Sequence, residues 1–222
     1  MLSYAVLIDG GFIRKKLGSR ASPLTAQSVE AFISWLELHS ALKPHRLHRV
    51  YFYDAEPMKG KLQTPLQGDE LDLSNSPAAN NNRALHQGIV RVPFVSLRMG
   101  ELAHNGWRLP RNMLKYDRSS TTISGSQLRP VIQQKGVDMR IGLDIAALTL
   151  KRHVQIIALV TGDSDFVPAM KFARREGAQL FLYTLGHGIK DEMREHSDIV
   201  VDDVVPGTGA QVNGLGVSVP HD

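Results

Sequence analysis

Cysteine is absent from the 222-residue chain, which excludes disulfides, thiolate nucleophiles and cysteine-based zinc sites together. Also missing is any unbroken apolar run near the ~18 residues a membrane span needs. The nine histidines form no HExxH pair, and the nearest two, His45 and His48, have no third ligand beside them, which argues against a zinc enzyme. Residues Met1 to Ile8 lack the basic region and small-residue cleavage site of a signal peptide and run straight into an apolar strand, so a cytoplasmic protein with no membrane contact is expected. A hydrophobic fraction of 42% and a charged fraction of 22% are those of a soluble globular chain, long enough for one domain with or without an insertion. A net charge of +4 permits a nucleic-acid partner without requiring one.

What is present centres on Leu159-Val160-Thr161-Gly162-Asp163-Ser164-Asp165-Phe166. An apolar strand, Val154 to Val160, stops on two carboxylates, and a helix from Val167 to Arg175 follows, closed by Gly177. Carboxylates so placed stand at the carboxyl end of a strand, where open α/β sheets bind ligands, although Asp and Ser there also serve as ordinary helix caps. The pattern recurs. Tyr4 to Ile8 is an apolar strand ending at Asp9-Gly10-Gly11, and Asp138 follows a short strand, Val131 to Gln134, and the turn at Gly136.

The rest of the chain reads as alternating elements. A helix runs from Phe12 to Leu17, another from about Thr25 to Leu42 with Val29, Phe32, Ile33 and Leu36 on one stripe, and a strand from Leu47 to Tyr53 ends at Asp54. After Val137 to Lys151 (helix) and the acidic stretch come Gln179 to Thr184 (strand), Ile189 to His196 (helix) and Ile199 to Val201 (strand). This order predicts an α/β fold, a three-layer αβα sandwich with a mainly parallel sheet. Residues from about 55 to 130 break the rhythm and read as an inserted hairpin and loop segment. There Ser74 to Asn82 resembles a mobile loop, Gly88 to Met99 a strand confined to an edge or bulge by Pro93, and Gly106 to Leu109 its hairpin partner. Arg83, Arg91, Arg98, Arg108, Arg111, Lys115, Arg118 and Arg129 make this segment basic, either as a solvated face or as a nucleic-acid contact. A single domain is expected over 1–203, with a disordered tail over 204–222.

Asp144 lies between Leu143 and Ile145 inside an apolar helix, where an unpaired buried charge costs several kcal/mol, so it needs a cation, a donor network or water. Six helical positions put it about 120° around and ~9 Å along from Asp138, which ranks Asp138 as the direct ligand and Asp144 as a supporting group. If the strands ending at Asp9 and Asp163 are neighbours, ~5 Å apart, Asp9, Asp138, Asp163 and Asp165 can share one cation. Hard oxygen ligands without His or Cys favour Mg²⁺ or Mn²⁺, and an ion so held suits phosphodiester hydrolysis.

These residues resemble a known family. Asp9-Gly10-Gly11, Lys135-Gly136-Val137-Asp138 with Asp144, and Thr161-Gly162-Asp163-Ser164-Asp165-Phe166 are similar to the three signatures of the NYN domain, in its LabA-like branch of the PIN-like nuclease superfamily. The resemblance covers about residues 1–54 and 130–203. It implies a PIN-like sandwich and a Mg²⁺- or Mn²⁺-dependent endoribonuclease, with Asp9, Asp138, Asp163 and Asp165 as the acidic cluster. Asp144 matches a further acidic position and Ser164 the polar residue between the last pair. RNA would cross the carboxyl ends of the strands, with Lys135, Arg14 and Lys15 beside it. Many members carry Asn three residues after the first Asp, where this chain has Phe12, so an amide that would position substrate or water is missing. A catalytically weak or inactive RNA-binding module is therefore the alternative. A phosphatase or receiver domain is a third reading, poorly matched to Asp163-Ser164-Asp165. RNA preference, physiological role and a homo-oligomeric state are left open.

Overall fold

Strand β1 (Ser3–Asp9) alternates its side chains between two cores. Tyr4, Val6 and Ile8 pack with Phe32, Leu36 and Ile89 on one side, while Ala5 and Leu7 meet Ile141, Ile145 and Met170 on the other. A strand buried on both faces must lie inside a sheet covered by helices on both sides, and the rest of the chain supplies that cover. In the computed structural model, which describes residues 1–66, 69–110, 113 and 122–206, β1 is followed by α1 (Gly10–Leu17), α2 (Ala26–Leu38), β2 (Arg46–Ala55), a hairpin of β3 (Lys61–Gln63) and β4 (Glu70–Asp72), α3 (Pro77–Ile89), β5 (Val95–Arg108), β6 (Arg129–Lys135), α4 (Val137–Leu150), β7 (Ile156–Val160), α5 (Val167–Arg175), β8 (Gln179–Tyr183), α6 (Asp191–Glu195) and β9 (Ile199–Val201).

Seven strands form one sheet in the order β6-β5-β2-β1-β7-β8-β9. All neighbours are parallel except β5 and β6. Helices α1, α2 and α3 cover one face and α4, α5 and α6 the other. The fold is thus a three-layer α/β sandwich with a mainly parallel sheet. Asp9 of β1 and the segment following Val160 of β7 leave the sheet side by side, because Ile8 pairs with Val160.

Three sequence expectations need correction. Ser74 to Asn82 is not a loop throughout: Ser76 caps α3 by accepting from the Ala79 N–H, Pro77 occupies the first turn, and Leu85 and Ile89 are buried. The strand expected over Gly88 to Met99 begins only at Val95, with Pro93 in the preceding turn. Gly106 to Leu109 does not fold back on it; Gly106 to Arg108 continues β5 itself, whose hairpin-like partner is β6. The segment 55–130 therefore contributes a small hairpin, β3–β4, and also an internal strand and helix of the sandwich. Of the tail expected over 204–222, residues 207–222 lie outside the described residues, as do Arg111, Lys115 and Arg118.

The run of β5 explains how an antiparallel strand still reaches the acidic edge. Val95 to Gly100 pair with β2, then Glu101 to Arg108 overshoot the end of β2 and pair with β6 instead. Strand β6 returns along that overshoot, so Lys135 arrives opposite Glu101, next to the end of β2, and Gly136 turns the chain into α4 with φ 76°. Asp138 thereby reaches the carboxyl ends of the parallel strands.

One close contact fixes the helical layer over the first core. A Cβ built on Gly88 of α3 would lie 2.4 Å from Cβ of Ala26 in α2. Alanine ordinarily favours a helix by about 1 kcal/mol over glycine, but here the overlap dominates, and Gly88→Ala is expected to destabilise by about 1–3 kcal/mol. A urea unfolding midpoint at or above that of the parent would contradict this packing.

Candidate active site

Asp9 ends β1 and caps α1, accepting from the Phe12 N–H at 3.1 Å and from the Thr161 hydroxyl at 3.2 Å. Thr161, fully buried at the end of β7, also accepts from the Asp163 N–H at 3.2 Å. One hydroxyl thus ties the first and third acidic segments together. Asp163 in turn accepts from the Asp165 N–H at 3.0 Å and caps a 3₁₀ turn, Ser164–Phe166, that leads into α5. The capping reading of Asp9 and Asp163 is therefore correct as far as it goes.

Capping does not exhaust them. Desolvation, and then the charge of Asp163, push Asp9 above the usual carboxylate range, against the lowering effect of its hydrogen bonds. Asp138, in the first turn of α4, is pushed up by desolvation and then by Asp9, Asp163 and Asp165. Carboxylates from three separated segments therefore act on one another at the carboxyl ends of β1, β7 and the α4 turn. Their hard oxygen donors suit Mg²⁺ or Mn²⁺. In side-chain conformation they stand apart: among the described residues no three acidic or histidine side chains converge closely enough to hold an ion.

The supporting residues divide. Asp144 has the donor network its position demanded, accepting from Tyr53 Oη at 2.8 Å and pairing with Arg98 Nε at 3.2 Å. Burial and Asp144 hold the Tyr53 hydroxyl far above its ordinary value. Ser164 opens the 3₁₀ turn and is half-buried, while Lys135 and Lys15 are exposed. Arg14 faces inward, with its guanidinium on Asp54.

Asp54 was no more than a strand end in the sequence, yet it is the most buried carboxylate near the site. Its side chain is 2% exposed. It binds Arg14 of α1, His86 Nε2 of α3 at 2.5 Å, Gln134 Nε2 of β6 at 3.2 Å and the Ala55 N–H at 2.9 Å. Gln134 Oε1 also lies 3.4 Å from where a Cβ on Gly11 would stand, which brings the end of β6 against the turn after Asp9.

Phe12 stands three residues after Asp9, in place of the amide that the resemblance implies. It is buried, meets the His187 ring edge-on at 5.7 Å, and carries Lys16 Nζ 5.8 Å from its ring centre. A Cβ on Gly162 would lie 2.3 Å from His187 Cδ2 and 2.9 Å from Phe12 Cε2, so both rings rest on the backbone beside Asp163. Partial desolvation and then Lys16 and Lys15 push the His187 imidazole down, toward its neutral form. His187 gave no signal in the sequence beyond its flanking glycines.

The family model of the NYN domain matches residues 99–203, a little under half of the chain, and so includes Asp138, Asp163 and Asp165 but not Asp9. An uncharacterized protein of Methanocaldococcus jannaschii is 24% identical over 94 residues, 42% of this chain and 39% of that protein. The chain thus aligns with well under half of that relative. A crystal structure of a protein of unknown function from Vibrio parahaemolyticus superposes with a TM-score of 0.49 at 15% identity, covering 91% of this chain and 94% of that one.

Proposed function

We propose that this chain is a Mg²⁺- or Mn²⁺-dependent endoribonuclease of the LabA-like branch of the NYN domains, with a PIN-like fold. The observation that carries the reading is the gathering of acidic residues at one end of the sheet, where desolvation first and then the charges of Asp9, Asp163 and Asp165 raise the proton affinity of Asp138. Like charges gathered from three segments without a cation among them are unfavourable, and a divalent ion relieves them. The NYN match over the second and third acidic segments supports the same reaction class.

When bound, the metal would ionise a water and offset charge on the phosphoryl oxygens. Asp9, Asp138 and Asp163 would hold it, with Asp165 the more replaceable fourth group. Asp9 is already oriented by the Phe12 N–H and Thr161, and Asp163 by the Asp165 N–H, whereas Asp138 and Asp165 are exposed. Asp144, held by Tyr53 and Arg98, steadies α4 behind Asp138 rather than binding the ion. Ser164 and Lys135 flank the approach of the RNA backbone. Lys15 adds a cation on the same side; Arg14, engaged by Asp54, does not.

Purified protein with Mn²⁺ is expected to cleave a single-stranded RNA internally and to stop when EDTA is added. No cleavage of single-stranded or structured RNA with either ion would remove the reading. The alternative, an RNA-binding module without turnover, is favoured by Phe12 in place of an amide and by the unconverged carboxylates. RNA binding with no cleavage and no Mn²⁺-induced rise in Tm would select it.

A further inference from the structure

We infer that His187, backed by Phe12 and flanked by Lys15 and Lys16, is the platform on which an unpaired base of single-stranded RNA stacks beside the acidic cluster. The inference rests on the ribonuclease reading for the substrate class and on separate geometry for the site. Four features carry it.

The first is place. His187 lies on the backbone of Gly162, one residue before Asp163, and Phe12 donates its N–H to Asp9. The two rings therefore bridge the ends of β1 and β7, where the scissile phosphate would sit. The second is exposure. Phe12 is buried beneath, but His187 is solvent-exposed, and its ring nitrogens take no hydrogen bond among the described residues. Core packing accounts for Phe12 and leaves the outer face of the imidazole without a role.

The third is charge. Lys15 and Lys16 act on His187 electrostatically, and Lys16 stands over the Phe12 ring at 5.8 Å. Aromatic faces next to lysines are what single strands require, a stacking surface for the base and cations for the adjoining phosphate. The fourth is the fit to Gly162. Any side chain there would strike both rings, so glycine is what allows the Cδ2 edge of the imidazole to rest against the backbone beside Asp163. A duplex keeps its bases stacked on one another and offers none to such a surface, so the platform selects unpaired RNA. It also gives Phe12 a function that an amide could not perform.

The test is binding in EDTA, where cleavage cannot interfere, by fluorescence anisotropy with a labelled unstructured oligoribonucleotide and with an RNA duplex. His187→Ala is expected to weaken single-strand binding about 10-fold, or ~1.4 kcal/mol, the size of one lost base stack. His187→Trp is expected to restore it, and duplex binding is expected to be unchanged in both variants. The exposed position of His187 leaves the thermal unfolding of both variants at the parent's value. Single-strand binding by His187→Ala equal to the parent's, or equal losses for single strand and duplex, would overturn the platform while leaving the ribonuclease reading intact. A parent that binds single strands through His187 yet never cleaves with Mn²⁺ would overturn the ribonuclease and uphold the platform. A parent that binds no RNA overturns both.

Discussion

Asp9→Asn is expected to lower RNA cleavage by at least about 100-fold while making the metal-free protein more stable. The loss follows from removing a charged ligand worth several kcal/mol of transition-state stabilisation, at 1.36 kcal/mol per factor of ten. The gain follows from the raised proton affinity of Asp9, caused first by desolvation and then by Asp163. A carboxyl whose folded-state pKa lies above its unfolded value contributes stability while protonated and loses it as pH rises from the ordinary carboxylate range, near 4, through the folded value. The Tm of the parent should therefore fall relative to Asp9→Asn as pH rises from about 4 toward neutrality. Asn retains the capping oxygen, so α1 keeps its N-terminus. Adding Mn²⁺ should reverse the order, raising the Tm of the parent more than that of the variant. An Asp9→Asn protein that is less stable at pH 7 without metal, or that cleaves like the parent, would sink this account of the acidic cluster.

Asp54→Ala is expected to be the most destabilising single change near the site, by about 3 kcal/mol or more. Removing one partner of a buried ion pair leaves the other charge without compensation. Here Arg14 and His86, with side chains 22% and 11% exposed, would both be orphaned, along with the Gln134 amide. Urea unfolding measures the loss. A change below about 1 kcal/mol would mean that Arg14 and His86 reach water unaided. The same carboxylate joins α1, α3 and β6, so its removal should also loosen the approach of Gln134 to Gly11.

The acidic strand ends were legible because they combine two local signals, an apolar strand and a sudden carboxylate beside a glycine. Asp9 and Asp163 carry both, and the pairing of β1 with β7, which the sequence left as a condition, sets their strand ends side by side. Asp54 also ends a strand but has Ala55 rather than a glycine after it; its burial depends on His86 arriving from α3, and that helix was hidden. Asn80-Asn81-Asn82 argues against helix by propensity, and only the Ser76 cap, Pro77 and the burial of Leu85 and Ile89 secure it. The direction of β6 was equally out of reach, since strand polarity leaves no trace in a pattern as short as Val131 to Gln134. It follows from how far β5 runs past β2. His187 shows the limit most plainly, because its position depends on a contact with Gly162 that lies well upstream in sequence.

The overshoot of β5 gives the acidic cluster two unequal halves. Asp9 and Asp163 hang from β1 and β7, strands with neighbours on both sides and cores on both faces, whose amides are expected to exchange only when the whole domain unfolds. Asp138 stands in the first turn of α4, which is entered from β6, an edge strand whose sheet pairing is with the end of β5 alone. Subglobal opening of that edge would therefore loosen the turn into α4, just before Asp138, while the ends of β1 and β7 stay in register. Amide exchange along β6 would then report how often the entry to α4, and with it the proposed metal-binding constellation, is momentarily loosened.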